Sequence, residues 1–152
     1  MRLTDFLVIG GGIIGLNIAR ELKRTYPSCK VTLLEKERQC GMHASSRNSG
    51  VLHAGFYYSE DSLKARFTRQ GNQELTEYCL QKKLPIHRCG KLVVAQNASE
   101  LAGLSELKRR AEKNGVELHE ISKTQAEAIE PRVKTYEKAL FSPNTSSVNP
   151  AL

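Results

Sequence analysis

The chain has 152 residues, room for one ordinary domain, with 39% apolar and 6% aromatic residues and no tryptophan, which suits a modest α/β core. Its formal net charge of +7 is of the kind that accompanies nucleic acid or an anionic membrane surface. The basic residues are dispersed, however. The tightest cluster, Lys108-Arg109-Arg110 with Lys113, is interleaved with Glu106 and Glu112, the pattern of a solvated helix face. Nucleic acid is therefore not an expected partner, while an acidic substrate or peripheral contact with a membrane stays open.

The chain opens on Asp5 to Ile9, apolar and partly β-branched, followed by Gly10-Gly11-Gly12-Ile13-Ile14-Gly15. This reads as a buried strand, a glycine turn and a helix start. Ile14, Ile18 and Leu22 recur at helical spacing, Pro27-Ser28 breaks the chain, and Lys30 to Leu34 reads as a second strand ending at Glu35. An acid about 20 residues past the last glycine completes the βαβ fingerprint for the ADP half of a dinucleotide. Gly10 permits the tight turn, Gly12 lets the backbone approach a pyrophosphate, and Gly15 lets helix and strand pack closely. The helix start at Ile13 and Ile14 aims free N–H groups and the positive end of its dipole at the phosphates. Glu35, with Lys36 beside it, would receive the ribose. A carboxylate there repels a 2′-phosphate, so FAD or NAD is favoured over NADP.

Lys36 to Met42 reads as a polar loop. Asp61 to Lys82 reads as a helix with Leu63, Phe67, Leu75 and Tyr78 on one side and Ser59 or Asp61 as its cap. Pro85 closes that segment. His87 to Ala95 reads as a strand, and Ser99 to Asn114 as a charged helix stopped by Gly115. Ser122-Lys123-Thr124-Gln125 is a capping box opening a short helix that ends before Pro131. Lys138 to Ser142 reads as a strand and Pro143 to Ser147 as a turn. Asn149-Pro150 has the form of an N-cap and first helical position. A helix that has only begun is expected of an N-terminal fragment, and two parallel strands with one helix leave an incomplete sheet.

Cysteines stand at 29, 40, 79 and 89 without CxxC spacing, so no metal site is expected. Cys29 and Cys79 read as small core residues, and a reducing cytoplasm is the simplest setting. The chain is expected to enter its first strand without a signal or transit peptide. Phe6 to Ala19 is too short and glycine-rich to cross a bilayer.

Ser45 to Gly55 is dense in small and polar residues. Such a turn after the second strand offers N–H groups and hydroxyls to the longer half of FAD, which NAD does not require. The opening Leu7–Arg24 and Val31–Glu37, then Arg47-Asn48-Ser49-Gly50-Val51-Leu52-His53-Ala54-Gly55-Phe56-Tyr57-Tyr58, Ser62–Phe67, Gly71-Asn72, Glu77-Tyr78-Cys79 and Cys89–Ala95 resemble the L-2-hydroxyglutarate oxidase/dehydrogenase family. That family belongs to the D-amino-acid-oxidase-like FAD oxidoreductases. The chain departs from it at Ser45-Ser46-Arg47, where better-known members carry Thr-Gly-His.

The resemblance implies a Rossmann-like FAD-binding βαβ unit joined to the start of an α+β substrate-binding domain. Residues 1–83 would belong to the FAD domain, 84–142 to the substrate domain, and 143–152 would return towards the first. It implies oxidation of (S)-2-hydroxyglutarate to 2-oxoglutarate, with electrons passed on to oxygen or a quinone. An amine or amino-acid oxidase of the same superfamily, an NAD enzyme and a non-catalytic fragment are the alternatives. In that frame Gly10, Gly12, Ile13, Ile14 and Gly15 line the pyrophosphate and Glu35 and Lys36 the ribose. Ser45, Asn48, Ser49 and Gly50 reach the pyrophosphate–ribityl region. His53 is the candidate catalytic group, as base, flavin partner or covalent link, against a structural histidine. Arg47 and Lys91 are candidates for anion contact or for simple exposure, and Tyr57 and Tyr58 for packing. A cytoplasmic protein, seated peripherally at the inner face of the membrane if at all, fits this reading.

Overall fold

The structure, a computed structural model, describes residues 3–151. It divides into two compact units, one holding the residues up to Gly50 and those from Asn149, the other Val51–Val148. By packing within this chain, residues 51–83 group with residues 84–148, whereas the sequence suggests a boundary after residue 83.

The first unit is a single βαβ element. β1 (Phe6–Ile9) and β2 (Val31–Leu34) pair in parallel, Phe6 with Val31 through to Ile9 with Leu34, and α1 (Ile13–Thr25) connects them. Asp5 Oδ2 accepts from the Lys30 N–H at 2.7 Å, holding the two strand starts together. Lys23 Nζ donates to the carbonyls of Pro27 and Cys29 at 2.6 and 2.9 Å, a cation on orphan carbonyls just beyond the helix. The expected buried strand is buried only at Val8, with Leu7 and Ile9 exposed. The expected helical stripe is also displaced: Ile14 and Ile18 are exposed, and the half-buried face runs through Gly15, Ala19 and Leu22. Gly15 lies on that half-buried face, where a Cβ would run into the carbonyl oxygen of Gly10, so the missing side chain lets α1 approach the glycine turn closely.

The second unit carries two three-stranded antiparallel sheets, ordered β3-β8-β4 and β5-β7-β6. The strands are β3 (Val51–Leu52), β4 (Ile86–His87), β5 (Lys91–Val94), β6 (His119–Ser122), β7 (Lys138–Ser142) and β8 (Ser146–Val148). The expected single strand over residues 87–95 is interrupted at Gly90, whose φ is +70°, and it feeds two different sheets. The expected turn at 143–147 is shorter, because Ser146 to Val148 pairs with both β3 and β4. β7 is the central strand of its sheet, with Ala139, Leu140 and Ser142 buried.

α2 (Leu63–Gln81) is capped by Ser62, whose Oγ accepts from the Ala65 N–H at 3.1 Å, and not by Ser59 or Asp61. Leu63, Phe67, Leu75 and Tyr78, expected to pack, are exposed. The buried residues are Ala65, Asn72 and Cys79, one per two turns, so this helix faces the unit with small residues and one amide. α3 (Leu101–Lys113) follows a 3₁₀ turn at Ala98–Glu100 and buries Leu104 and Ala111. It ends at Asn114 with Gly115 at φ +63°, where the Val116 N–H returns to the Ala111 carbonyl. α4 (Lys123–Ile129) carries the expected capping box, both reciprocal bonds present. Phe56, Ala95, Leu104, Ala111, Val116, Leu118 and Leu140 form the core.

The Asn72 amide is the buried polar centre of this unit. Its Nδ2 donates to the carbonyls of Leu52, His53 and Asn144 at 3.0, 3.2 and 3.0 Å. Replacing Asn72 with Leu leaves those carbonyls short of a donor. In the intact protein the change is expected to cost about 2–4 kcal/mol in chemical denaturation, and an unchanged midpoint would contradict the role given to it. On the surface, Glu106 bonds Arg109 and Arg110, and these guanidinium partners lower its pKa from 4.5 to about 2. A carboxylate held low contributes stability above its ordinary value and loses it as pH falls towards about 2. Glu106→Gln should therefore flatten the fall in thermal midpoint over that acid window, with little effect near neutrality.

Candidate functional site

The first unit builds a cavity of about 640 Å³ lined by Ile9, Gly10, Gly12, Leu34, Glu35, Lys36, Gly41, Met42, His43 and Ser45. Two strand ends, one helix start and one loop converge there. Gly10 turns at φ +101°, a region open to glycine at little cost, and its N–H donates to the Leu34 carbonyl at 2.8 Å. The chain thereby leaves the sheet at the point where α1 begins.

Gly12 is the N-cap of α1 but has no side chain to cap it. Ser45 supplies the missing acceptor from across the loop, its Oγ 2.9 Å from the Ile13 N–H. The first intrahelical bond runs from the Leu16 N–H to the Gly12 carbonyl. The Ile14 and Gly15 N–H groups, ahead of that bond, have no acceptor among the described residues and remain open to an anion. The Ser45 hydroxyl proton is likewise free to donate.

Glu35 closes the other side. Its Oε1 accepts from the Glu37 N–H at 3.0 Å and its Oε2 from the Gly11 N–H at 2.6 Å. These backbone donors, Glu37 first and Gly11 second, hold its carboxyl below the ordinary value. The group is thus a fixed carboxylate at neutral pH. Each oxygen retains lone-pair capacity for a hydroxyl donor. Lys36 points its ammonium towards Glu37 at 3.7 Å and is exposed.

The structure thus brings Gly10, Gly12, Glu35, Lys36 and Ser45 to one cavity, with Ile13, Ile14 and Gly15 at the helix start beside it. Asn48 plays a local part: its Nδ2 donates to the carbonyls of Ala44 and Ser45, and its Oδ1 accepts from the Gly50 N–H. Ser49 and Arg47 are exposed, and the Arg47 N–H bonds the carbonyls of His43 and Ala44. His53 belongs to the second unit. Its carbonyl is held by Asn72 while its ring is free of any hydrogen bond among the described residues. The residue is exposed to solvent, and partial desolvation of its ring, then the charge of Lys91, lower its pKa.

Sequence reasoning missed two neighbours of the glycine turn. The Cys40 thiol sits where a Cβ on Gly11 would fall, 2.7 Å from that point. His43 Nε2 lies 3.0 Å from Glu37 Oε1 and lines the cavity. Neither belongs to the fingerprint, and only the folding back of the loop reveals them.

The family of FAD dependent oxidoreductases matches residues 5–152. The chain is 42% identical over 146 residues to the mitochondrial L-2-hydroxyglutarate dehydrogenase of Nematostella vectensis, covering 95% of this chain and 32% of that protein. It is 41% identical over 131 residues to the L-2-hydroxyglutarate dehydrogenase of Salmonella houtenae, covering 86% and 31%. Among solved structures, the dithionite-reduced L-alpha-glycerophosphate oxidase of Mycoplasma pneumoniae with FAD bound superposes with a TM-score of 0.87 at 32% identity, covering 100% of this chain and 40% of that one. The chain spans about a third of the length of the curated relatives it matches. The glycine turn, the capped helix start and the fixed carboxylate are thus met in a sequence matched almost throughout, and the chain belongs to the family of FAD dependent oxidoreductases.

Proposed function

We propose that the intact protein binds FAD through its first unit and oxidises a 2-hydroxy acid, foremost (S)-2-hydroxyglutarate to 2-oxoglutarate. The observation that carries the cofactor is one cavity lined by Gly10, Gly12, Ser45 and the Glu35 carboxylate, with the open N–H groups of Ile14 and Gly15 at the helix start beside it. A dinucleotide needs both, anion donors for its pyrophosphate and an acceptor for its ribose diol. The substrate rests on the two dehydrogenase relatives.

Each residue then has a task. The α1 N-terminus and the Ser45 hydroxyl donate to the pyrophosphate, and Gly10, Gly12 and Gly15 keep side chains out of its path. Glu35 accepts from the ribose hydroxyls and excludes a 2′-phosphate, with Lys36 at the rim. Asn48, Ser49 and Gly50 shape the turn that meets the ribityl chain. When bound, FAD supplies the acceptor for the C2 hydride. His53, neutral at physiological pH, takes the proton of the C2 hydroxyl. We further assign residues 1–83 and 143–152 to the FAD domain and 84–142 to the substrate domain of the intact protein. Oxygen or a quinone takes the electrons. A seat in the cytoplasm, peripheral to the membrane for a quinone acceptor, agrees with the net charge of +7. No helix among the described residues is long and apolar enough to cross a membrane.

The absorbance spectrum of the purified full-length protein tests the reading. Anaerobic (S)-2-hydroxyglutarate should bleach the flavin bands; a colourless protein that FAD cannot reconstitute would refute it. Glu35→Ala should weaken FAD binding about 10–100-fold by fluorescence titration. A base with a depressed pKa is lost as pH falls through that value. The acid limb of kcat/KM should accordingly lie below the ordinary histidine value of 6.5 and vanish in His53→Gln.

A further inference from the structure

Lys91 opens β5, half-buried, with its Nζ 4.7 Å from the centroid of the Tyr57 ring. No carboxylate among the described residues lies within ion-pairing distance of it, in contrast to Lys138 in the same sheet, whose Nζ is 2.9 Å from Glu120. A partly desolvated ammonium with only an aromatic face for company lacks an anion.

Its surroundings are rigid. Lys91 pairs with Ser142 of β7. The preceding Gly90 donates its N–H to the Thr145 carbonyl at 3.0 Å, and the Phe141 ring fills the place a Cβ on Gly90 would take, 2.5 Å away. Tyr57 is packed on Phe56 with ring centroids 4.3 Å apart, and its carbonyl accepts from Arg110 Nη1 at 3.2 Å. The platform under the ammonium is therefore fixed at both ends.

Second to partial desolvation, the positive charge of Lys91 lowers the His53 pKa. Around that residue, α2 brings the neutral Asn72 amide, β8 brings Ser146 and Ser147 opposite Leu52 and Val51, and β4 places His87 beyond Ser147 on the far side of β8. His53 and Lys91 are joined through the backbone: the Asn72 amide that holds the His53 carbonyl also holds that of Asn144, and the next carbonyl, Thr145, accepts from the Gly90 N–H beside Lys91.

We propose that Lys91 is the carboxylate anchor of the His53 site, its ammonium held on Tyr57 to bind a carboxylate of the 2-hydroxy acid while His53 faces the hydroxyl. The proposal rests on the function proposed above. It carries a linkage. A bound carboxylate neutralises the ammonium, removes the field that disfavours the imidazolium, and raises the proton affinity of His53 when substrate is present. The site makes its own base stronger on binding.

Glutarate, a dicarboxylate without the hydroxyl, separates binding from turnover. In the full-length holoprotein with ¹³C-labelled histidine, His53 is assigned by its loss in His53→Gln and titrated with and without glutarate. Glutarate should raise the His53 pKa in the natural protein. Lys91→Met should raise it in the free protein, abolish the response and weaken glutarate binding by about tenfold or more, and Lys91→Arg should retain most of the affinity. Normal flavin content in Lys91→Met and Lys91→Arg controls for folding. Glutarate affinity in Lys91→Met within about twofold of the natural protein, with an unshifted His53, overturns the anchor even if (S)-2-hydroxyglutarate still bleaches the flavin. Glutarate bound through Lys91 in a protein that the hydroxy acid does not reduce leaves the anchor standing and removes the proposed function.

Discussion

The second unit depends on one buried amide. Asn72 has two protons to give and three carbonyls to serve, at the end of β3, at His53 and in the turn before β8. Buried carbonyls without donors are costly, so helix, strand end and turn are locked to one another by a single side chain. The effect propagates. Once Asn144 is fixed, Thr145 beside it holds the Gly90 N–H, and Ser142 and Thr145 bond each other through their hydroxyls at 3.1 Å. The start of β5 is thereby set from a helix that does not touch it in sequence.

The first unit obeys a steric rule instead of a polar one. The close approach of Gly15 to the Gly10 carbonyl brings α1 against the end of β1, so the helix start stands beside the cavity. Glu35 then works twice. It braces the Gly11 turn by accepting the 2.6 Å bond, and it remains an anion at the cavity wall. The loop returning through Ser45 repairs the one weakness of a glycine-started helix, its missing cap. The cavity wall and the helix start are thus held by the same side chain.

The βαβ order, the capping box at Ser122, the stop at Gly115 and the strand Lys138–Ser142 were legible because each rests on local chemistry: periodicity, caps and turn residues. The helical faces were not. Apolar residues at 63, 67, 75 and 78 formed a plausible stripe, yet the unit takes up the side of α2 bearing Ala65, Asn72 and Cys79, since small residues permit close approach and only tertiary partners reveal that choice. Short strands such as Val51–Leu52 and Ser146–Val148 escape periodicity altogether, being too brief to show alternation. Of the site, the glycines and Glu35 were readable from spacing. The capping of Ile13 by Ser45, 32 residues away, depends on how the loop folds back, as does the thiol of Cys40 against Gly11.

Among the described residues the hydrogen-bonded hold on His53 is made through its main-chain carbonyl. The segment is positioned by an amide that ignores which side chain residue 53 carries, and the imidazole is left free of structural duty. Architecture and chemistry are therefore separable at this point of the fold. Any side chain at position 53 would leave that carbonyl to accept from Asn72, so the scaffold stays in register whatever group stands there.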